Sequence, residues 1–267
     1  STPTGPVRRT KVERGESVSM SEGTRPTSRF AVEGTEDPKE TLLCGFASYG
    51  LSGLTAVDFL IDQLGLVQTG HVTAEGMPSI TPFENGRPTH HTRLFSRPDL
   101  NLTLLKNELF VPPALSAAFG EEILSWTARH GVQEVVVVDA VPIQHSPDDH
   151  KTYYVATEDY EERRLAGGSI EPMARGYLDG VTGALVEQGI DSPLGVGVFR
   201  TPVHEQMPDV EAAIRLVETV SDLYALDVDT EPLQEFADEI KRYYEELHDR
   251  YEAAAERERA FDDRMYM

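Results

Sequence analysis

Two spacings of apolar residues alternate along this chain. Thr41 to Phe46 is a short apolar run bounded by turn signals, as a buried strand should be, and Leu54, Val57, Leu60, Ile61 and Leu64 then recur at helical intervals. The pair predicts a β-loop-α unit, with Ser52 as the helix N-cap and Gly45, Gly50 and Gly53 in the sharp connection. LVQTGHVT and LNLTLLKN read as further strands, separated by the Pro- and Gly-punctuated PSITPFENGRPTHHTRLF. Leu115, Ala118, Phe119, Ile123 and Trp126 predict a helix ending near His130-Gly131 and leading into EVVVVDAV. Four successive valines between turns are the pattern of a strand covered on both faces of a parallel sheet.

The alternation continues. TYYVAT predicts a Tyr-rich strand followed by an exposed connection, GYLDGVTGALVEQG a Gly-rich turn and helix, and LGVGVF another apolar strand. Asp209 to Leu226 is amphipathic, with Val210, Ile214, Val217, Val220 and Tyr224 on one face. Helix feeding apolar strand in this order predicts a single α/β domain over 40–228 with a largely parallel central sheet flanked by helices.

Two appendages flank it. Residues 1–39 are rich in Ser, Thr, Pro, Gly and Arg and lack an apolar period, which predicts a disordered arm. Two alternatives stay open for the arm: Met20 as the true start, and a basic segment that binds nucleic acid. From Thr230, Leu233, Phe236, Ile240, Tyr243, Leu247 and Tyr251 recur at three- and four-residue intervals, predicting a long helix with a heptad-like seam that packs within or between subunits. Helix and stalk together occupy 229–261, the stalk (AAAERERAFDD) carrying too little apolar surface to dock, and 262–267 form a terminal tail.

Charge narrows the function. The 267 residues carry 46 Asp and Glu against 24 Lys and Arg, a formal charge of -22, and most of the basic residues are Arg. Such a surface repels nucleic acid phosphates. The carboxylates are scattered over the exposed helix faces rather than gathered in one block, which favours a salt-rich cytosol, hence a halophile, over an acidic binding patch. One cysteine, Cys44, allows no intrachain disulfide, and no apolar run approaches the ~18 residues that cross a bilayer. The expectation is a cytoplasmic protein with neither membrane nor nucleic acid partner.

Candidate chemistry is sparse. The G-x4-G-x2-G spacing of Gly45, Gly50 and Gly53 departs from the dinucleotide fingerprint, so a tight turn is the simpler reading, with ligand binding as its alternative. Gly176, Gly180 and Gly183 are read in the same two ways, close helix-sheet packing being the simpler. HSPDDH holds His145, Asp148, Asp149 and His150 without a recognised metal spacing, and His204-Glu205 lacks the second His of a zinc helix. Ser48 and Ser52 miss the nucleophile elbow, and Cys44 sits in a predicted buried strand. Trp126, Tyr243, Tyr244 and Tyr251 fit core or inter-helix packing better than a patch. No enzyme, metal or cofactor is predicted. Met265-Tyr266-Met267, at the tip of a stalk, offers a carboxylate, a phenol with few rotors and an extended backbone, the parts a recognition socket uses.

With these residues in view the chain resembles the proteasome assembly chaperone 2 family in its archaeal form. The resemblance covers about residues 41–250 and is carried by LLCGFASYGLSGLTAVDFLIDQLG, EEILSWTARHGVQEVVVVDAVPI and GYLDGVTGALVEQGI followed by PDVEAAIRLVETVSDLYALDVDTEPLQEFADEI. It implies a nucleoside-phosphorylase-like α/β fold used for binding, in an assembly chaperone or ATP-independent activator of the proteasome core particle. It also implies a hydrophobic-Tyr-any tail that inserts between α-subunits, here Met265, Tyr266 and Met267, the last carboxylate meeting a pocket lysine. No phosphate- or base-binding residues of the phosphorylase cleft can be matched, which counts against the alternative of a nucleoside- or nucleotide-binding enzyme. Several tails on a homo-oligomer, assembled through the 233–251 helix, would raise avidity by ~10² to 10⁴.

Overall fold

The computed structural model describes residues 29–34, 38–143, 149–203 and 209–233, with 235, 243, 245–247 and 249–253 beyond them. Its centre is four parallel strands. These are β2 (Thr41–Phe46), β7 (Leu102–Asn107), β8 (Glu134–Pro142) and β11 (Gly195–Val203), in the spatial order β7-β2-β8-β11. The valine run behaves as its composition demands: Val135 to Val138 are buried, alternating between the two faces of the sheet.

Antiparallel strands extend both edges. β1 (Phe30–Glu33), β3 (Val67–Ala74) and β6 (Thr92–Ser96) continue outward beside β7, and β9 (Tyr153–Ala156) with β10 (Glu171–Pro172) beside β11, giving nine strands among the described residues. A small hairpin, β4 (Phe83–Glu84) with β5 (Arg87–Pro88), stands apart. The sheet is therefore mixed around a parallel centre, and three of its strands, β1, β6 and β10, arise where punctuated or polar sequence predicted none. Of the arm predicted to be disordered, 1–28 lie outside the described residues, whereas Phe30–Glu33 are a strand paired along its length with β3. Phe30 anchors it, buried and edge-on to Phe119 at 5.0 Å.

Helices cover both faces. α1 (Ser52–Gln63) and α5 (Val210–Tyr224) share one core with Leu43, Leu104, Val136, Val138 and Phe199. On the other face α2 (Pro113–His130) and α4 (Gly180–Gly189) enclose Leu42, Cys44, Val135, Val137, Val196 and Val198. Local chemistry sets the helix ends. Pro113 starts α2, Gly131 at φ 71 ends it, and the Asp209 carboxylate accepts from the Ala212 amide to cap α5. Ser52 is the first helical residue rather than the cap, because Leu51 takes the cap position at φ 53.

The connection after β9, read as exposed, is partly core. A single turn, α3 (Glu158–Tyr160), continues into a π-helical turn (Glu161–Leu165) and buries Tyr160 against Gly195 and Gly197. The Tyr160 hydroxyl meets that of Tyr224 at 2.9 Å, and Tyr224 donates to the buried Glu134 at 3.0 Å. Glu134 also accepts from Thr41 at 2.7 Å and pairs with Arg164 at 2.8 Å. This network ties the amino ends of β2 and β8 to the end of α5.

At the start of β6, burial and neighbouring His90 push the His91 imidazole down from 6.5 to about 4. A depressed histidine contributes stability above its unfolded value and loses it as pH falls towards the folded one. Between pH 6.5 and 4 the unfolded chain binds the extra proton. Acidification through that window should therefore cost on the order of 2 kcal/mol after solvent screening of a half-buried ring. Urea titrations of wild type and His91→Gln at pH 7 and pH 4.5 should show the difference shrinking in the variant; equal acid sensitivity would remove His91 as its source.

Candidate functional site

In an open α/β sheet a ligand crevice forms where successive connections leave a strand in opposite directions. Here that point lies between the carboxyl ends of β2 and β8, since the chain passes from β2 to β7 on one side and then to β8 on the other. Glycine governs the approach. An added Cβ on Gly53 would stand 2.2 Å from the Val138 carbonyl, and one on Gly45 would stand 2.7 Å from the Gly53 carbonyl. α1 thus begins directly on the backbone of the sheet. Gly50 has a different reason, a φ of +64 in the turn.

The groups converging there hold one another. Ser48 donates to Asp139 at 2.9 Å, and Arg200, the neighbour of Asp139 across the β8–β11 pair, forms an ion pair with it at 3.0 Å. Both partners of the pair are buried. Burial raises the Asp139 carboxyl pKa, while Arg200 and the Ser48 hydroxyl pull it back. Ser52 donates to the Asp209 carbonyl at 3.1 Å, and the Asp209 amide bonds the Gly50 carbonyl at 3.4 Å. The turn that cradles phosphate in dinucleotide-binding proteins is here bonded to the start of α5. With Ser48 donating to Asp139 and Asp139 held by Arg200, the trio forms one clasp across the carboxyl ends of β8 and β11.

The second glycine set splits three ways. Gly180 opens α4 at φ +57, Gly183 leaves no room for a Cβ against the Leu178 carbonyl at 2.6 Å, and Gly176 faces open space. None of the three approaches the sheet, contrary to the packing reading. Close approach falls instead to Gly189, against Val196 at 2.5 Å. Cys44 is fully buried and burial raises its thiol pKa far above the ordinary value, consistent with an inert side chain. His145 and Asp148 lie outside the described residues. Among the described ones no group of three His, Cys, Asp or Glu side chains could hold a metal.

Met265, Tyr266 and Met267 lie outside the described residues, as do Phe236, Ile240 and Tyr244. What leads to the tail can still be located. Leu233 is buried against the α1–α5 face, and Leu247 is buried between Leu54 and Leu109. Tyr251 packs against the same cluster of Leu54, Leu109 and Leu247 and meets Phe110 edge-on at 6.2 Å. The chain is therefore fastened at the carboxyl edge of the sheet. The seam predicted to join helices closes, at Leu233 and Leu247, on its own subunit, so neither is free for a second copy; Tyr243 remains 41% exposed.

Beneath Tyr243 lies a charged cluster that the sequence did not announce. Glu108, buried, accepts from Arg93 at 3.1 Å and pairs with Lys106 at 3.1 Å, and Lys106 also pairs with Asp58 of α1. Burial, with Glu108 next, pushes the Tyr243 phenol up to about 12. Alternation along β6 and β7 puts Arg93 and Lys106 side by side on one face, a register that no single-strand pattern states. Leu247→Asp should detach this segment at a cost of about 2–3 kcal/mol of local stability. Limited proteolysis would then cut after Thr230 faster while the α/β body melts nearly as before; unchanged proteolysis would show that Leu247 does not hold the segment.

Fold and site together define the class: a doubly wound α/β protein whose switch point holds the Ser48, Asp139 and Arg200 clasp and whose C-terminal segment is fastened beside it. The PAC2 family profile matches residues 42–248. The chain belongs to the PAC2 family. Among solved structures it is similar to Pyrococcus furiosus PbaA, an archaeal homolog of proteasome-assembly chaperone, at 22% identity and TM-score 0.76 over 85% of this chain and 99% of that one. A protein of unknown function from Thermoplasma acidophilum follows at 20% identity and TM-score 0.75, covering 84% and 91%. Pyrococcus furiosus PbaB, an archaeal proteasome activator, superposes at TM-score 0.65 with 18% identity, over 83% of this chain and 100% of that one. No curated protein matches the sequence.

Proposed function

We propose that this protein is a non-enzymatic binding partner of the proteasome core particle, acting as an assembly chaperone or an ATP-independent activator. The observation that carries the reading is PAC2 membership over residues 42–248. The closed clasp at Ser48, Asp139 and Arg200 supports binding over catalysis. In this reading Met265, Tyr266 and Met267 dock between α-subunits of the core particle, and Tyr251 is one of the described residues that hold the preceding segment to the α/β body. Because ordering a short tail costs ~1 to 2 kcal/mol per residue, one tail binds weakly and a homo-oligomer presents several. Leu233 and Leu247 being buried, the copies meet through other surface, of which Phe83, Phe110 and Tyr243 are exposed apolar members.

Deletion of Tyr266 and Met267 tests the tail. Co-sedimentation with purified core particles should fall at least about ten-fold while circular dichroism and melting stay unchanged. Undiminished co-sedimentation of the shortened chain would refute tail docking. Stimulated cleavage of a small fluorogenic peptide by core particles without nucleotide separates activator from assembly chaperone.

A further inference from the structure

Tyr177 stands 96% exposed, far more than a tyrosine usually is in a folded chain. Its backbone is nonetheless fixed on both sides. The Met173 amide donates to the Tyr154 carbonyl at 2.9 Å, Arg200 donates to the Tyr177 carbonyl at 3.2 Å, and the Gly183 amide donates to the Asp179 carbonyl at 2.9 Å. The ring is therefore carried outward by a bonded segment. At its foot, between α4 and the β9 edge of the sheet, opens a cavity of about 350 Å³ with apolar walls from Val155, Met173, Leu178, Val186 and Ile190. That is the lower end of pockets that take a small organic body, and it has room for a phenol ring.

A plug and a socket on one patch are what a twofold contact uses, because there the same patch meets itself and every contact between two residues occurs twice. Two copies facing each other across this patch exchange rings, and one rotation fills both cavities. Charge selects a second copy as well. At a net charge of -22 two copies repel over most of their surface, yet this patch carries opposite charges. Arg175 and Glu187 are both exposed, and neither is ion-paired among the described residues. Glu187 lines the cavity, and Arg175 lies two residues from the ring, at most about 7 Å along the chain. Seating the ring brings Arg175 of one copy to Glu187 of the other.

We propose that the Tyr177 patch is a self-association surface on which a second copy of this chain docks through a twofold axis. Each Tyr177 sits among Met173, Leu178 and Val186 of the other copy, with Arg175 facing Glu187 across the rim. The inference rests on the homo-oligomer of the reading above and locates one of its contacts. Two seated rings remove on the order of 400 Å² of tyrosine surface from water. A stable interface takes ~1,200 Å² or more in total, so the contact is weak by itself and depends on concentration.

Sedimentation velocity of the full chain over a dilution series tests it. The wild type should associate as concentration rises. Tyr177→Ser should weaken association at least about 30-fold, the usual cost of removing an aromatic anchor, with circular dichroism and melting unchanged because so exposed a ring supports no packing in its own chain. Arg175→Glu and Glu187→Arg should each weaken self-association, since each sets like charges face to face, and an equimolar mixture of the two should associate more tightly than either alone. Deletion of Tyr266 and Met267 should leave the wild-type association as it is. A wild type that stays monomeric overturns both this contact and the homo-oligomer. Association that survives Tyr177→Ser unweakened, or charge variants that do not pair when mixed, overturns the contact and leaves the homo-oligomer and tail docking standing.

Discussion

Gly53→Ala is expected to destabilise the chain by about 3 kcal/mol or more, a large fraction of the stability of an ordinary domain. The added methyl would stand 2.2 Å from the Val138 carbonyl, and that carbonyl belongs to a central strand hydrogen-bonded on both sides. Neither party can give way cheaply. Lifting α1 off the sheet would part Ala56, Val57 and Leu60 from the core they share with α5, and shifting β8 would break two ladders. Gly176→Ala is the matched control, because a Cβ there meets nothing within 4 Å. Urea denaturation of the two variants should place Gly176→Ala within about 0.5 kcal/mol of wild type. A Gly53→Ala midpoint equally close to wild type would mean that α1 does not rest on β8 as described.

Asp139→Ala is the second large effect expected, about 3–5 kcal/mol, because it strands a buried guanidinium. Arg200 is 5% exposed and its remaining strong contact would be the Tyr177 carbonyl, too little to replace a carboxylate. Removing both charges should do far less harm. The double variant Asp139→Ala with Arg200→Met exchanges an ion pair for apolar volume and should recover at least half of the loss, a coupling visible in a double-mutant cycle. Additive costs would show that the two side chains do not depend on each other, and the clasp would then be a coincidence of rotamers. Asp139→Asn, which can still accept from Ser48, should fall between wild type and Asp139→Ala.

Both predictions concern residues whose types are plain in the sequence and whose partners are not. The glycines at 45, 50 and 53 are legible as a strand-to-helix turn because nothing else tolerates that density of glycine after an apolar run. That Gly50 serves a positive φ while Gly53 serves a carbonyl 2.2 Å away is decided by how α1 settles on β8. β1 was illegible for a similar reason. Phe30 to Glu33 lacks apolar strength of its own and becomes a strand because β3 offers an edge and Phe119 a partner for Phe30. Arg200 and Asp139 carry no signal of their own in the sequence, since a pairing across two parallel strands has no signature along either one.

What the sequence determined by itself was the alternation of elements, the two-sided burial of the valine strand and the amphipathic face of α5, because each rests on spacing within a continuous stretch; the family follows from the likeness of long stretches as a whole. The tertiary structure alone decided which charges meet, which face the C-terminal residues cover and where a cavity remains. Those outcomes depend on strand register and helix seating, which join residues as far apart as Leu54 and Leu247 or Ser48 and Asp139, and no local period encodes such distances.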